Sequence, residues 1–205
     1  MAAASTTSTQ TRTRIVDAAA AVMRDLGLAR ATTKAIAAAA GYSEATLYKH
    51  FPSKEELFLA VLQERLPDLG GLLAALRDPD QDRSVAENLI EVAAQAVAFY
   101  TEGVPVAASI FAEPSLLAQH RERLAALGAG PQHVNAGLAG YLRVERDRGR
   151  LPAHLDPQAA ADLLIGACFQ HGFLLSYAGG TETDAQRREF ATGIVTTLLG
   201  ENPSP

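Results

Sequence analysis

The sequence predicts an all-α protein of about nine helices, and three observations support this fold class. Alanine, which has the highest helix propensity, is very common, whereas runs of β-branched residues are scarce. Apolar residues recur every three to four positions over most of the chain, and no stretch alternates in the way that a half-buried strand would. Residues that commonly cap helices stand just before these periodic segments.

The chain is predicted to begin with a flexible arm over residues 1–11, because this segment is rich in Ser, Thr and Ala and has no apolar period. A first helix is predicted from Arg12 to Leu26. Gly27 follows it and suits the left-handed conformation that often ends a helix. The apolar side of this helix comprises Ile15, Ala19, Val22, Met23 and Leu26.

Three shorter helices follow, each with a polar residue that can cap its first turn. The caps are Thr32, Ser43 and Ser53, and Ser53 begins the capping box Ser-Lys-Glu-Glu. The third of these helices is predicted to end at Pro67 and the Gly70-Gly71 pair, since proline and paired glycines interrupt helices.

The rest of the chain is predicted to be helical as well. A break is expected at Gly103-Val104-Pro105 and another near Pro114. The helix that starts at Asp156-Pro157 is apolar nearly all round, so we expect it to be buried. The predicted helices of this part are residues 83–100, 106–127, 132–148, 157–177 and 184–199, the last between a capping box at Thr183 and Gly200.

Charge is distributed unevenly along the chain. The net charge is −5, but residues 1–66 carry 8 Lys and Arg against 6 Asp and Glu, while residues 67–205 carry 10 against 17. All three lysines, Lys34, Lys49 and Lys54, fall in a 21-residue window that contains a single acid, Glu44. A short basic face on an acidic body is typical of a nucleic-acid contact, although chance clustering is the alternative.

Several classes of protein are disfavoured. The single cysteine, Cys168, excludes an intramolecular disulfide, and we expect it to be a small buried apolar residue rather than a redox sensor. The N-terminus lacks the apolar core of a signal peptide. Apolar stretches such as 159–169 contain Asp162 and are shorter than the ~20 residues of a membrane span. We therefore expect a cytoplasmic protein with no membrane partner.

Residues 31–58 carry the functional pattern. A helix-turn-helix needs a small residue where two short helices cross, a residue that tolerates an unusual turn conformation, and an apolar anchor on the second helix. Ala37, Gly41 and Leu47 meet these needs. The second helix otherwise presents polar or small residues, which suits the major groove better than a protein core.

The residues predicted to contact DNA lie on both short helices and at the start of the next. Side chains at the first turn of the second helix would face base edges, and those around it would hold phosphates. Glu44 has two open interpretations: it accepts from a cytosine amino group, or it is a helix N-terminal charge without a base contact. The full set is Thr32, Thr33, Lys34, Ser43, Glu44, Ala45, Thr46, Tyr48, Lys49, His50 and Lys54.

With these motifs, the sequence resembles the tetracycline-repressor (TetR) family over about residues 12–62. The most specific match is the run Thr46-Leu47-Tyr48-Lys49-His50-Phe51-Pro52-Ser53-Lys54-Glu55-Glu56-Leu57, with further matches at residues 14–19, 32–37 and 40–43. Three residues depart from the family pattern. Tyr42 replaces a usual Val, Ala45 a common Gly and Met23 a common Phe, and these departures leave the operator sequence open.

The resemblance implies a DNA-binding domain over residues 12–54, whose third helix reads the operator, and an effector-binding and dimerisation domain over residues 55–205. It also implies a homodimer on a near-palindromic operator, paired through the last two long helices of each subunit. The remaining helices would enclose a pocket for a small molecule. Binding of that molecule would change the separation of the two DNA-binding heads, so that they no longer fit successive major grooves.

Candidates for the pocket are aromatic or polar residues of the C-terminal part, although plain core packing explains each aromatic residue equally well. His171 is either a polar group of the pocket or a hydrogen-bonded histidine at the dimer seam. The histidines at 120, 133, 154 and 171 match no metal-ligand spacing, so no metal and no cofactor are predicted. The pocket candidates are Phe99, Tyr100, Phe111, Tyr141, His171 and Phe173.

The sequence thus predicts a ligand-responsive transcriptional repressor rather than an enzyme. An all-α metalloenzyme would need paired Glu-x-x-His motifs, which are absent from the sequence. A helical adaptor that uses the same short helices for protein contact is the other alternative.

Overall fold

The computed structural model describes residues 2–27, 30–65, 69–76, 83–126, 128 and 130–200. Within these residues all regular secondary structure is helical, which confirms the predicted fold class. The ten helices are α1 (Ala2–Leu26), α2 (Thr33–Ala40), α3 (Glu44–His50), α4 (Lys54–Arg65), α5 (Leu69–Ala75), α6 (Val85–Phe111), α7 (Pro114–Ala126), α8 (Pro131–Asp147), α9 (Pro157–Tyr177) and α10 (Asp184–Leu199).

Helix α1 begins ten residues before the predicted start. The expected arm over residues 1–11 is wrong from Ala2 onward, because these residues continue the helix. The hydroxyl of Thr13 donates to the carbonyl of Thr9 at 3.0 Å, one turn earlier. A hydroxyl that bonds to the carbonyl one turn earlier slightly destabilises and often bends a helix, but it does not compete for the backbone N–H groups, so this polar segment is still helical.

The predicted break at Gly103-Val104-Pro105 is also wrong, since α6 continues to Phe111 with Pro105 inside it. A proline has no N–H and leaves the carbonyl four residues earlier, here that of Thr101, without its helical partner. The hydroxyl of Ser176 in α9 donates to this carbonyl at 2.8 Å. A residue 75 positions away therefore repairs the hydrogen bond that the proline removes.

Helices α6 and α9 approach each other very closely beside this bond. A Cβ atom at Gly172 would lie 2.8 Å from the backbone nitrogen of Thr101 and 2.9 Å from the Cβ of Tyr100. Only glycine fits here, so the weak helix propensity of Gly172 is offset by the close helix contact.

The predicted end of α4 at Gly70-Gly71 is wrong, because these two glycines lie inside α5. Pro67, the other residue predicted to end α4, lies outside the described residues.

The expectation that α9 is buried on all sides is wrong. One face, which includes Leu164 and Cys168, is buried, but Leu163 is 66% exposed and Tyr177 is 83% exposed. Within the part of the chain that the structure describes, α9 is also the one helix that is long and apolar enough to cross a membrane by length and composition alone. Core helices of globular proteins are often as long and as apolar. A single charged residue, Asp162, does not lower the hydropathy of α9 enough to exclude it from this class.

The structure divides into two compact units, each with its own apolar core. The first comprises Met1–Leu66 and Pro105–His120, and its core includes Ile15, Ile36, Leu47 and Phe58. The second comprises Pro67–Val104 and Arg121–Pro205. Its core contains residues of α5, α6, α8, α9 and α10. Because α4 packs against α1, the first unit extends past residue 54, the predicted end of the DNA-binding domain.

Candidate nucleic-acid interface

The helix-turn-helix forms as predicted, with side-chain caps at the start of both helices. Thr32 caps α2, its hydroxyl accepting from the backbone N–H of Ala35 at 3.1 Å. Ser43 caps α3, its hydroxyl accepting from the N–H of Thr46 at 3.2 Å. Each cap satisfies one of the backbone donors that a helix leaves unpaired at its N-terminus.

The turn between α2 and α3 depends on Gly41. Its φ of 77° lies in the left-handed region, where a side chain would be strained. The N–H of Gly41 donates to the carbonyl of Ala38 at 3.1 Å, and that of Tyr42 donates to the carbonyl of Ala37 at 2.9 Å. These bonds close the end of α2 and direct the chain into α3.

A single apolar side chain attaches α3 to the core. Leu47 is fully buried, as are Ile36 and Ala37 on α2 against which the turn folds. No other residue of α3 is buried. A seven-residue helix held by one anchor leaves its remaining surface available for contacts outside the protein.

The structure places the predicted DNA-contact residues at or near the surface of the first unit. Seven of them are exposed: Thr32, Lys34, Ser43, Glu44, Ala45, Tyr48 and Lys49. The other four, Thr33, Thr46, His50 and Lys54, are partly buried. None belongs to the apolar core, which is a precondition for the predicted role.

Three of these residues form a hydrogen-bonded relay between α2 and α3. The phenol of Tyr48 donates to the hydroxyl oxygen of Thr33 at 3.3 Å. The hydroxyl of Thr33 donates to Oε1 of Glu44 at 2.7 Å. The relay joins the first residue of α2 to the first turn of α3.

Sequence reasoning missed a clamp between α1, α3 and α4. The guanidinium of Arg12 donates to both carboxylate oxygens of Glu64, at 2.8 and 2.6 Å. It also lies over the ring of Phe51, 5.0 Å from its centre, in a cation–π arrangement. The hydrogen bond to Glu64 raises the pKa of Arg12. A pair separated by 52 positions leaves no local pattern in the sequence.

Tyr42, one of the departures from the family pattern, has its own partners. Hydrogen bonds from Thr11 and Arg14 of α1 hold the pKa of the Tyr42 phenol below its ordinary value. The phenol therefore links α1 to the turn that precedes α3. A valine at this position would make neither bond.

The structure does not gather the six pocket candidates at one place. Phe99 packs edge-to-face on Tyr100, which packs on Phe169, and Phe169 stacks on Phe173. Burial raises the pKa of the Tyr100 phenol. Phe111 is 70% exposed and belongs to the other unit.

Two of the pocket candidates with a polar group, Tyr141 and His171, form hydrogen bonds to other protein side chains. The Tyr141 hydroxyl accepts from the buried side chain of Asn88 at 3.0 Å, and burial raises the pKa of its phenol. His171 shares a hydrogen bond of 2.9 Å with Glu182 and stacks on Phe190 of α10. The alternative of a hydrogen-bonded histidine fits this geometry, and the pocket assignment stays a prediction.

Sequence reasoning also missed two buried polar residues, Asn88 and Glu145. Glu145 accepts hydrogen bonds from Arg150 and Arg148, so two exposed arginines pair with a buried acid. Among the described residues, no three His, Cys, Asp or Glu side chains come together in a way that could hold a metal.

Comparison with known families gives two matches. Residues 15–61 match the family model described as bacterial regulatory proteins, tetR family. Residues 87–201 match the C-terminal domain described as that of AefR-like transcriptional repressors. The second match alone covers more than half of the chain.

A curated relative is similar to part of the chain. The chain is 37% identical over 81 residues to the HTH-type transcriptional regulator UidR of Escherichia coli K12, a match that covers 40% of each protein. It thus spans about two fifths of the length of the curated relatives it matches.

Two solved structures share the fold. A TetR-family transcriptional regulator of Mesorhizobium loti superposes with a TM-score of 0.70 at 23% identity, covering 94% of this chain and 96% of the other. FadR of Bacillus subtilis, solved in complex with stearoyl-CoA, superposes with a TM-score of 0.65 at 18% identity, covering 93% and 98%.

Proposed function

Because the chain belongs to the tetR family of bacterial regulatory proteins, we propose that it is a DNA-binding transcriptional repressor that a small hydrophobic ligand releases from a palindromic operator. The observation that carries the proposal is the geometry of α3. Its one apolar side chain, Leu47, is buried, while Glu44, Ala45, Tyr48 and Lys49 are exposed. A helix of this kind fits the major groove of DNA, which is about 12 Å wide.

Each predicted contact residue has a role that follows from its chemistry. Ser43, Ala45 and Thr46 lie at the start of α3 and face base edges, where sequence is read. Glu44 lies among them, and both interpretations given for it from the sequence stay open at this point. The remaining contacts hold phosphates through hydroxyl, ammonium and imidazole donors, and they set the register of the protein on the duplex. These phosphate contacts are Thr32, Thr33, Lys34, Tyr48, Lys49, His50 and Lys54.

The protein acts as a homodimer through α9 and α10. The exposed face of α9 is apolar and includes Leu163, Leu174 and a ladder of stacked rings. The rings of Phe169 and Phe173 are 6.5 Å apart, and those of Phe173 and Tyr177 are 6.2 Å apart. A contiguous exposed apolar face on a helix is typical of a protein interface.

The exposed face of α10 complements that ladder. In the C-terminal half of α10 the exposed residues are small, namely Thr192, Gly193 and Thr197, and a Cβ at Gly193 would meet no atom within 4 Å. Small residues on one helix and aromatic residues on the other allow two copies of this pair to interlock as a four-helix bundle. The symmetry of such a dimer matches the near-palindromic operator.

The second unit holds the effector. Its core contains aromatic and aliphatic side chains with few polar groups, which suits a hydrophobic ligand. FadR of Bacillus subtilis, of the same fold, was solved with stearoyl-CoA, which supports a ligand of this class. The pocket candidates among the described residues remain those named from the sequence.

We propose no catalytic activity for this chain, because we interpret the exposed residues of α3 as a binding surface. The site of action is the bacterial cytoplasm, where operator DNA lies. A helical adaptor is the alternative function, and it would use the exposed surface of α3 for protein instead of DNA.

The test is a fluorescence-anisotropy titration of the full chain against a duplex from its own upstream region, at two salt concentrations. We expect tight binding that weakens steeply with salt, because the basic side chains displace counterions from DNA. Competitor DNA should not abolish it, and two protomers should bind per site. If binding is weak and independent of sequence, the adaptor is favoured.

A matched pair of variants locates the interface. Lys49→Gln and Arg143→Gln each remove one exposed positive charge, the first from α3 and the second from α8. Only Lys49→Gln should reduce the slope of log affinity against log salt, by about 1. Equal slopes for the two variants would contradict an interface on α3.

A further inference from the structure

The relay of Tyr48, Thr33 and Glu44 has a definite direction. Each hydroxyl has one proton to donate. The proton of Tyr48 points to Thr33 at 3.3 Å, and the proton of Thr33 points to the Glu44 carboxylate at 2.7 Å. Both hydroxyl protons of the relay are therefore directed toward Glu44.

Phosphate oxygens accept hydrogen bonds and have no proton to give at neutral pH. A hydroxyl contact to phosphate therefore requires the same proton that Thr33 now gives to Glu44. A carboxylate and a phosphate compete for this proton, since one donor makes one strong bond. The two anions also repel each other when they lie side by side.

We propose that Glu44 raises operator specificity by occupying, in the free protein, the hydroxyl protons of Thr33 and Tyr48 that a DNA phosphate must take over. This role rests on the proposed DNA-binding function. It differs from both sequence-based interpretations of Glu44, because the carboxylate neither contacts a base nor acts only as a helix charge.

Breaking the hydrogen bond between Thr33 and Glu44 costs less free energy in the operator complex than in a complex with other DNA. Any duplex that approaches α2 and α3 must break the bond between Thr33 and Glu44. In the operator complex the recognition helix is fixed by base contacts, so a phosphate lies at hydrogen-bond distance and replaces the carboxylate. On other DNA the phosphates are held less closely, and the lost bond is not fully replaced.

The test compares two variants that remove the same charge. Glu44→Ala removes the acceptor, whereas Glu44→Gln keeps an amide oxygen that Thr33 can still donate to. Each is titrated against a 30-bp duplex of scrambled sequence and against the duplex from the upstream region. On scrambled DNA we expect Glu44→Ala to bind about threefold to tenfold more tightly than Glu44→Gln, the worth of one hydrogen bond.

The same pair is then measured in a Thr33→Val background. Valine has nearly the shape of threonine but no hydroxyl, so the difference between Ala and Gln at position 44 should disappear. The ratio of operator to scrambled affinity should be lowest for Glu44→Ala. These three results together support the relay as a determinant of specificity.

Other outcomes overturn the inference. Equal affinities of Glu44→Ala and Glu44→Gln for scrambled DNA would mean that only charge matters. A loss of operator affinity in Glu44→Ala, with an altered preference at one base pair, would mean that Glu44 reads a base. If the unaltered protein binds no DNA at all, the proposed function itself is contradicted. This result differs from the two outcomes above, in which the protein binds DNA but the role of Glu44 is wrong.

Discussion

Helices α3 and α9 both expose a surface that the chain itself does not cover, but the two surfaces differ in chemistry. On α3 the exposed residues are polar or small, and Leu47 is the single buried residue. On α9 seven residues are buried over 21 positions, and the exposed face carries leucine and aromatic side chains. The first surface suits a charged, hydrated partner, and the second suits an apolar one.

Helices α9 and α3 also differ in the contacts that hold them to the rest of the protein. Helix α9 has a continuous apolar contact that includes Leu164, Ile165 and Cys168, together with the close approach at Gly172 and the Ser176 hydrogen bond. Helix α3 depends on one anchor and one cap. A weakly anchored helix tolerates changes in its outer residues, whereas a strongly anchored one presents a rigid surface.

The strongest test of the comparison is Leu47→Ala. We expect the free energy of unfolding of the first unit to fall by about 2–5 kcal/mol, because a fully buried leucine is replaced by a cavity. Hydrogen–deuterium exchange should show lost protection in α2–α4 and unchanged protection in α9. As a control, Lys49→Gln changes an exposed side chain of the same helix and should leave protection as it was. Loss of protection that includes α9 would contradict the separate anchoring of the two helices.

The apolar face of α9 is tested by Leu163→Glu. Since Leu163 is 66% exposed in the single chain, folding of the protomer should be unaffected. Burying an unpaired carboxylate in the dimer should raise the dissociation constant about 100-fold or more, measured by sedimentation equilibrium. Ala153→Glu places the same charge on an exposed residue of the preceding loop and should leave the dimer intact. A Leu163→Glu protein that remains dimeric at equal concentration would place the interface elsewhere.

The repair of the proline position in α6 is tested by Ser176→Ala. Without the serine hydroxyl, the Thr101 carbonyl loses its partner, and we expect a loss of about 1–2 kcal/mol in the free energy of unfolding, measured in urea. Pro105→Ala restores a backbone N–H for this carbonyl. The loss caused by Ser176→Ala should therefore be smaller in a Pro105→Ala background, and an identical loss in both backgrounds would contradict the assignment.

The smallest effect concerns the buried thiol on α9. Burial raises the pKa of Cys168 from its ordinary 9.0 to about 12. The unfolded thiol ionises near pH 9, so its stabilising contribution is complete below that pH and is lost as the pH rises toward 12. Between pH 8 and pH 10 the loss should be about 1 kcal/mol.

The variant Cys168→Ala isolates this contribution. Its free energy of unfolding should fall less steeply over the same pH interval than that of the unaltered protein. Parallel pH curves would show that the thiol ionises equally in both states. The absolute stabilities need not agree, since only the difference in slope is compared.

What the sequence predicted well depends on neighbouring residues. The caps Thr32, Ser43, Asp156 and Thr183 form as expected, because each bonds to a backbone N–H three residues later. Gly41 takes the left-handed conformation for an equally local reason. Pattern and spacing were therefore enough to predict α3 and its anchor Leu47.

What the sequence predicted poorly depends on distant residues. The continuity of α6 through Pro105 requires Ser176, and the Arg12–Glu64 clamp joins residues 52 positions apart. The exposed face of α9 could not be distinguished from a buried one, because an apolar residue has the same pattern in a core and in an interface. The pocket candidates stay a prediction for the same reason, since the sequence pattern of an aromatic residue does not show whether it faces a core or a ligand.

The single anchor of α3 has a consequence for the evolution of this regulator. Stability limits most substitutions in proteins, since the majority of buried positions lose packing when they change. In α3 only Leu47 carries that constraint, and the six other positions lie outside the apolar core. Under the proposed DNA-binding function, substitutions on α3 can change operator preference while leaving the free energy of unfolding nearly unchanged. Duplicated copies can then diverge in target and keep one scaffold.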